Sequence, residues 1–266
     1  MAKNYNLVAL LLGDVCGQSG CRALFLGLPK LIKRTKADII VVNGENAADG
    51  FGITEEIALK FFSLGVQVIT SGNHIWQRED ILPFMERDHR MLRPANYPSG
   101  APGVGSHVFE VSGKKIAVLN LQGRQSMPPL DCPFRVGVAA VEKLRRQTPI
   151  ILVDFHAENT EEKEAMGMHL DGKVSVVVGT HTHVQTADEK ILPKGTGYIT
   201  DLGMTGPVES VIGSSPNISI DRQLTQMPLR NHVLDTSASI QGIVCTIDAE
   251  TGKTVAIQRI SEQSEL

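Results

Sequence analysis

No two of the four cysteines, Cys16, Cys21, Cys132 and Cys245, stand in a CxxC spacing. Such scatter excludes the usual structural zinc frameworks and supplies no disulfide scheme, so reduced thiols in a cytoplasm are expected. No window reaches the ~18 apolar residues that span a bilayer, and a soluble protein without a membrane partner follows. The apolar stretch "NLVALLLGD" at 6–14 has one lysine before it and runs into Asp14 with no small-residue cleavage site. It is therefore a first strand and not a signal peptide. An excess of one charge is missing too: 26 Lys and Arg stand against 29 Asp and Glu, a formal net charge of −3. Without a general attraction for polyanions, nucleic acid is admitted only as a local contact. No internal repeat or low-complexity tract interrupts the chain, which excludes a solenoid.

What is present is 266 residues with 42% apolar and 21% charged content, enough to bury a sizeable core as one domain over 1–266. Apolar runs alternate with amphipathic ones: "NLVALLLGD" (6–14), "RALFLGLPKLIKRT" (22–35), "ADIIVVNGEN" (37–46), "TEEIALKFFSLG" (54–65) and "VQVITSGN" (66–73). This reads β-α-β-α-β, a largely parallel sheet covered by helices. Thr54, followed by Glu55 and Glu56, starts the second helix, and Gly65 stops it. From 107 "HVFEVSGKKIAVLNLQG", and near the C-terminus "GIVCTIDAETGKTVAIQRIS", read as hairpins, antiparallel additions to that sheet. Their edges leave room for a homo-oligomer. Between them, "PIILVDFHAE" (149–158) and "KVSVVVGTHTHV" (173–184) flank the helical "TEEKEAMGMHL" (160–170). The Gly-, Pro-, Ser- and Asn-rich segment 205–238 reads as a long loop or lid. The charge runs "EEKE" and "KLIKRTK" are expected on solvated helix faces, and Trp76 with the Phe61-Phe62 pair in the core.

Several strands end in polar side chains: Asp14, Glu45, Asn46, Asn73, His74, His156, His181 and His183. In open α/β sheets ligands sit beyond the carboxyl ends of strands, so these residues are expected on one rim. Oxygen donors from the first half and imidazoles from the second suit manganese, iron or zinc better than magnesium or calcium. They are too many for one ion. Two ions ~3.5–4 Å apart with a bridging carboxylate would use them and generate hydroxide at neutral pH. His181 and His183, two apart at a strand end, are expected to project to one side and reach adjacent metals. The turn "GQSG" at 17–20 admits a phosphate contact or a plain βα turn. Asn96 and Thr182 admit a role in shaping the pocket or a structural one; Asp154 and Glu158 admit orienting a metal-bound imidazole or a solvated strand end.

The motifs "GD" at 13–14, "GEN" at 44–46, "GNH" at 72–74, "FHAE" at 155–158 and "GTHTH" at 179–183 resemble those of the calcineurin-like metallophosphoesterases. The longer stretches "NGENAADGFGIT", "GNHIWQRED" and "GTHTHVQTADEKILP" resemble the bacterial YmdB-like branch from about residue 8 to 213. That resemblance implies a four-layer α/β/β/α sandwich and two transition-metal ions, iron or manganese ahead of zinc. It assigns Asp14, Glu45, Asn46 and His183 to one ion and Glu45, Asn73, His156 and His181 to the other, with Glu45 as the bridge. The wider superfamily has Asp-x-His first and Asp second, where this chain has Asp14-Val15-Cys16 and Gly44-Glu45-Asn46. Asn46 is then the stand-in for the missing histidine, and Cys16 packs near the site. The activity implied is hydrolysis of cyclic nucleotides, 2′,3′-cyclic ones favoured, by in-line attack of a hydroxide shared by the ions. His74 is the implied general acid, with an orienting role as the alternative. A phosphomonoesterase or nuclease of the same chemistry, a regulatory or RNA-processing protein with a vestigial site, and a single-zinc hydrolase are the competing readings.

Overall fold

The computed structural model describes residues 6–264. Its strands are β1 (Asn6–Leu12), β2 (Asp14–Val15), β3 (Ile39–Asn43), β4 (Val68–Thr70), β5 (Ser106–Val111), β6 (Lys114–Gln122) and β7 (Ile151–His156). They continue with β8 (Val176–Thr180), β9 (Lys190–Ile191), β10 (Gly197–Ile199), β11 (Met204–Pro207), β12 (Ala238–Asp248) and β13 (Thr254–Ser264). The helices are α1 (Gly17–Thr35), α2 (Glu55–Ser63), α3 (Ile81–Arg87), α4 (Pro133–Arg145), α5 (Thr160–Leu170) and α6 (Pro216–Thr225).

Two sheets result. One has the order β2-β11-β12-β1-β3-β4 with β13 paired to β12; the other has the order β5-β6-β7-β8-β10-β9. Strands β1, β3 and β4 run parallel in the first, as do β6, β7, β8 and β10 in the second. Their sequences are apolar without alternation because both faces are covered. Between the sheets, Leu7, Ala9, Leu11, Ile39, Val41 and Val68 meet Ile116, Val118, Leu152, Val176 and Val178. Outside the first sheet pack Leu24, Leu28 and Leu31 of α1, Phe61 of α2 and Phe84 of α3. Outside the second pack Val141 and Leu144 of α4 with Met166 and Leu170 of α5. The layers are helix, sheet, sheet, helix, the expected sandwich.

Local chemistry sets the element ends. Thr54 Oγ1 accepts from the Ile57 amide at 3.3 Å, the cap of α2. Asn159 does the same for Glu162 at the start of α5. Several expectations change. "GQSG" is the first turn of α1 and not a separate turn. The C-terminal hairpin is no peripheral addition, because β12 lies inside the first sheet between β11 and β1; similarly β6 pairs parallel to β7 as well as antiparallel to β5. The segment 205–238 contains part of β11 and all of α6. The run "EEKE" is only half solvated: Glu162 and Lys163 are buried. Phe61 is in the core, while Phe62 and Trp76 are partly buried against it. Among the described residues no helix is long and apolar enough to cross a membrane.

Candidate metal centre

The carboxyl ends of the parallel strands of both sheets converge, and the predicted side chains meet there. Asp14 opens β2, separated from β1 by Gly13 alone; Glu45 and Asn46 follow β3; Asn73 and His74 follow β4; His156 closes β7; His181 and His183 follow β8. Their contacts fall into two groups. Asn46 Nδ2 lies 3.3 Å from Asp14 Oδ1 and 3.0 Å from His183 Nε2, with His183 Nε2 3.8 Å from Asp14 Oδ1. His156 Nε2 lies 3.1 Å from Asn73 Oδ1 and 3.0 Å from His181 Nδ1. Glu45 touches both groups, with Oε1 3.1 Å from His156 Nε2 and 3.4 Å from Asn46 Nδ2. His74 stands at the edge: its Nδ1 is 2.7 Å from Asn46 Oδ1, and its amide donates to Glu45 Oε2 at 3.2 Å.

Electrostatics follow from burial. Asp14, Glu45 and His156 are fully buried. Burial raises the Asp14 carboxyl above its ordinary range, against the pull of His183 and His156. Burial would raise Glu45 as well, but His156 and His74 outweigh it and hold that carboxyl well below the usual range. Burial disfavours the charged form of His156, yet Glu45 and Asp14 push its pKa up to about 9. Burial, then the neighbouring His156 charge, push His181 down to about 3. Ring nitrogens facing each other beside a buried carboxylate form a site that a cation would complete. Glu45, His156 and His181 each offer one donor atom within 4.8 Å of the others.

Gly72 lets two of these donors pack directly on the backbone. A Cβ there would lie 2.1 Å from His156 Cδ2 and 2.3 Å from Glu45 Oε2, so any side chain would displace them. The nitrogen and oxygen donor set fits a metal. Asn46 presents its amide nitrogen to Asp14 and His183 and its oxygen to His74. Ligation through Oδ1 requires the amide to turn over, which its near-symmetric shape permits.

A chain of hydrogen bonds sets the His156 tautomer. Thr180 Oγ1 donates to Asp154 Oδ1 at 2.7 Å and lies 2.9 Å from His156 Nδ1. With its proton committed to Asp154, Thr180 accepts from Nδ1–H, which leaves the Nε2 lone pair for the centre. Asp154 also accepts from Asn43 at 3.1 Å and from Thr70, so one buried carboxylate ties the two sheets together beneath the site. Burial pushes its pKa up to about 6, against those hydrogen bonds and the His156 charge. Glu158 Oε2 reaches His181 Nε2 at 3.1 Å. Cys16 is buried beside this region, bridging to Asn46 through the backbone, and burial pushes its thiol up to about 12. Asn96 ties together the backbones of Gln122 and Asp131, a structural role.

Strand alternation does not place His181 and His183. Strand β8 stops at Thr180, and both histidines have left-handed backbone, φ 105° and 63°. Non-glycine residues rarely adopt that region, so the loop must be held. The His181 amide donates to Asp14 Oδ2 at 3.1 Å. Thr182 donates its amide and its hydroxyl to Asp201 Oδ2 at 3.2 and 2.8 Å, and Asp201 pairs with buried Lys163 at 2.6 Å. Lys163, Asp201 and Thr180 are the residues sequence reading missed. Asp201 follows the apolar β10, the same signal that marks the other site residues. Gln122 at the end of β6, level with His156 on β7, is buried with Nε2 bonded to nothing.

The YmdB-like protein family matches residues 10–260. The chain belongs to that family. A relative from Bacillus subtilis (strain 168), 2′,3′-cyclic-nucleotide 2′-phosphodiesterase, is 45% identical over 94% of this chain and 95% of its own. A crystal structure described as a novel phosphatase from Mycoplasma pneumoniae superposes with a TM-score of 0.92 at 35% identity, over 97% of this chain and 94% of that one. A structure from Thermus thermophilus gives 0.91 at 37% identity, over 97% and 100%.

Proposed function

We propose that the chain is a metal-dependent phosphodiesterase acting on cyclic nucleotides, 2′,3′-cyclic ones first. One observation carries the reading: two groups of nitrogen and oxygen donors share the buried Glu45 at the convergent strand ends. The activity of the B. subtilis relative supplies the substrate class. Asp14, Glu45, Asn46 and His183 would hold one ion, and Glu45, Asn73, His156 and His181 the other, with iron or manganese ahead of zinc. Bound there, the pair would polarise phosphoryl oxygens and lower the pKa of water.

The protein's own side chains account for the remaining steps. Thr180 and Asp154 keep the His156 Nε2 lone pair turned inward. With the Asn46 amide turned over for ligation, its Nδ2 would donate to His74 Nδ1, which leaves the ring proton on Nε2 for delivery to the leaving oxygen. The strand ends, and the hydrogen-bonded loops that follow them, hold these groups before substrate arrives, which supplies the preorganisation that charge stabilisation requires. The free thiols fit a reducing cytoplasm.

The test is hydrolysis of 2′,3′- and 3′,5′-cyclic nucleotides, a linear dinucleotide and a nucleoside monophosphate by metal-analysed protein. Preferential opening of the 2′,3′-cyclic ester supports the reading. Preference for the monoester would shift it to a phosphatase, and for the linear diester to a nuclease.

A further inference from the structure

Phe51 is an apolar ring held at the mouth of the centre with 53% of its surface exposed. Its centroid lies 5.1 Å from that of His74, with the rings at 67°. A single exposed hydrophobe is ordinary and by itself means little. Here, however, the supporting loop is tightly fastened. Arg78 donates Nε to the Phe51 carbonyl at 3.1 Å and Nη2 to the Ala48 carbonyl and Asp49 Oδ2 at 2.9 and 3.3 Å. Ala48 and Gly52 close a backbone bond at 2.9 Å. Gly50 and Gly52 have φ of 90° and 76°, and a Cβ on Gly52 would lie 2.9 Å from Arg78 Cγ. The loop continues from Glu45 and Asn46, so the ring is fixed relative to the same carboxylate that joins both groups of donors.

The substrate chemistry says what this ring is for. In a 2′,3′-cyclic nucleotide the ribose C2′ carries the leaving oxygen and the adjacent C1′ carries the base. A leaving oxygen beside His74 therefore brings a flat π-system to the same side of the mouth. The nearby Trp76 and Tyr97 are partly buried and pack edge-to-face on each other at 5.1 Å, whereas Phe51 keeps ring surface open to solvent. We propose that Phe51 is the platform against which the substrate's nucleobase stacks, a proposal that rests on the cyclic-nucleotide reading above. Stacking uses the π-face that every base has, so the site binds bases without strict identity and favours those with the larger face.

The experiment compares 2′,3′-cyclic AMP with ribose 2′,3′-cyclic phosphate, which has the ester and no base, using metal-loaded wild type, Phe51→Ala, Phe51→Leu and Phe51→Trp. The quantity read is the ratio of kcat/KM for the two substrates. Wild type prefers the nucleotide, and Phe51→Ala lowers that preference about tenfold, chiefly through KM, within the range expected for losing one stacked base. Phe51→Trp restores it, and Phe51→Leu restores less, since its side chain is apolar without a π-face. A ratio unchanged by Phe51→Ala overturns the proposal, even if both rates fall, because the ring then only supports the loop or His74. Wild-type protein that cleaves neither compound overturns the cyclic-nucleotide reading and the platform with it. A wild type active on both but indifferent to the base overturns the platform alone.

Discussion

His156 shows how much one residue's chemistry depends on its neighbours. Its proton is held up to about 9 by Glu45 and Asp14 despite burial, while His181, 3.0 Å away, is pushed down to about 3. In metal-free protein the raised His156 contributes stability that is fully present below its unfolded value near 6.5 and is lost as pH rises through 9. His181 is kept neutral, so the unfolded chain gains protons there as pH falls from 6.5 towards 3 and stability drops on that side too. These two groups place the greatest stability of the metal-free chain near pH 6.5. Thermal unfolding of chelated protein across pH 4–9 checks this, and saturating metal is expected to remove the alkaline decline because His156 then enters the folded state unprotonated. At the same scale, His74→Ala is expected to keep the metals and slow turnover ~10²–10⁴-fold, least for substrates with good leaving groups. Metal content measured beside turnover checks it. The strand-end residues were legible because a polar side chain closing an apolar run stands out. Thr180 was not, since a threonine inside a β-branched strand is ordinary, and its role comes only from donating to Asp154 while accepting from His156.

Among elements, the loop after β8 and helix α5 act together. The loop carries two histidines in left-handed backbone, and Lys163 of α5 neutralises the carboxylate that holds Thr182 between them. Reading α5 as a solvated face failed because its inward side mixes Glu162 and Lys163 with Met166, Gly167 and Leu170. No apolar stripe reveals which side is covered. Glu162 accepts from the Arg124 and Gln125 amides, so both buried charges are paired with defined partners. Lys163→Met is expected to cost ~3–5 kcal/mol by leaving Asp201 buried and unpaired. Chemical denaturation measures that loss; a decrease below about 1 kcal/mol would mean that Asp201 is neutralised by other means.

In the molecule as a whole, the donors meet because two mixed sheets share a core and the carboxyl ends of their parallel strands lie together. Asp14, Glu45, Asn46, Asn73 and His74 come from one sheet, and His156, His181 and His183 from the other. The first sheet's β-α-β-α-β order is plain in the alternating sequence pattern. Periodicity could not show that β12 inserts beside β1, because antiparallel pairing over long sequence separation leaves no local trace; the four layers came from family resemblance. Buried Asp154 joins Asn43 and Thr70 across the gap, so the fold that assembles the sheets also sets the spacing of the donors. If Glu45 is the shared ligand, Glu45→Gln weakens both positions at once, unlike a change at Asp14 or His181. The direct measurement is metal stoichiometry with turnover on wild type and Glu45→Gln, each checked for folding. About two ions per wild-type chain, with both ions and turnover lost in the variant, are predicted. An active wild type holding one ion or none, or a folded variant retaining both ions, would contradict the shared-carboxylate centre.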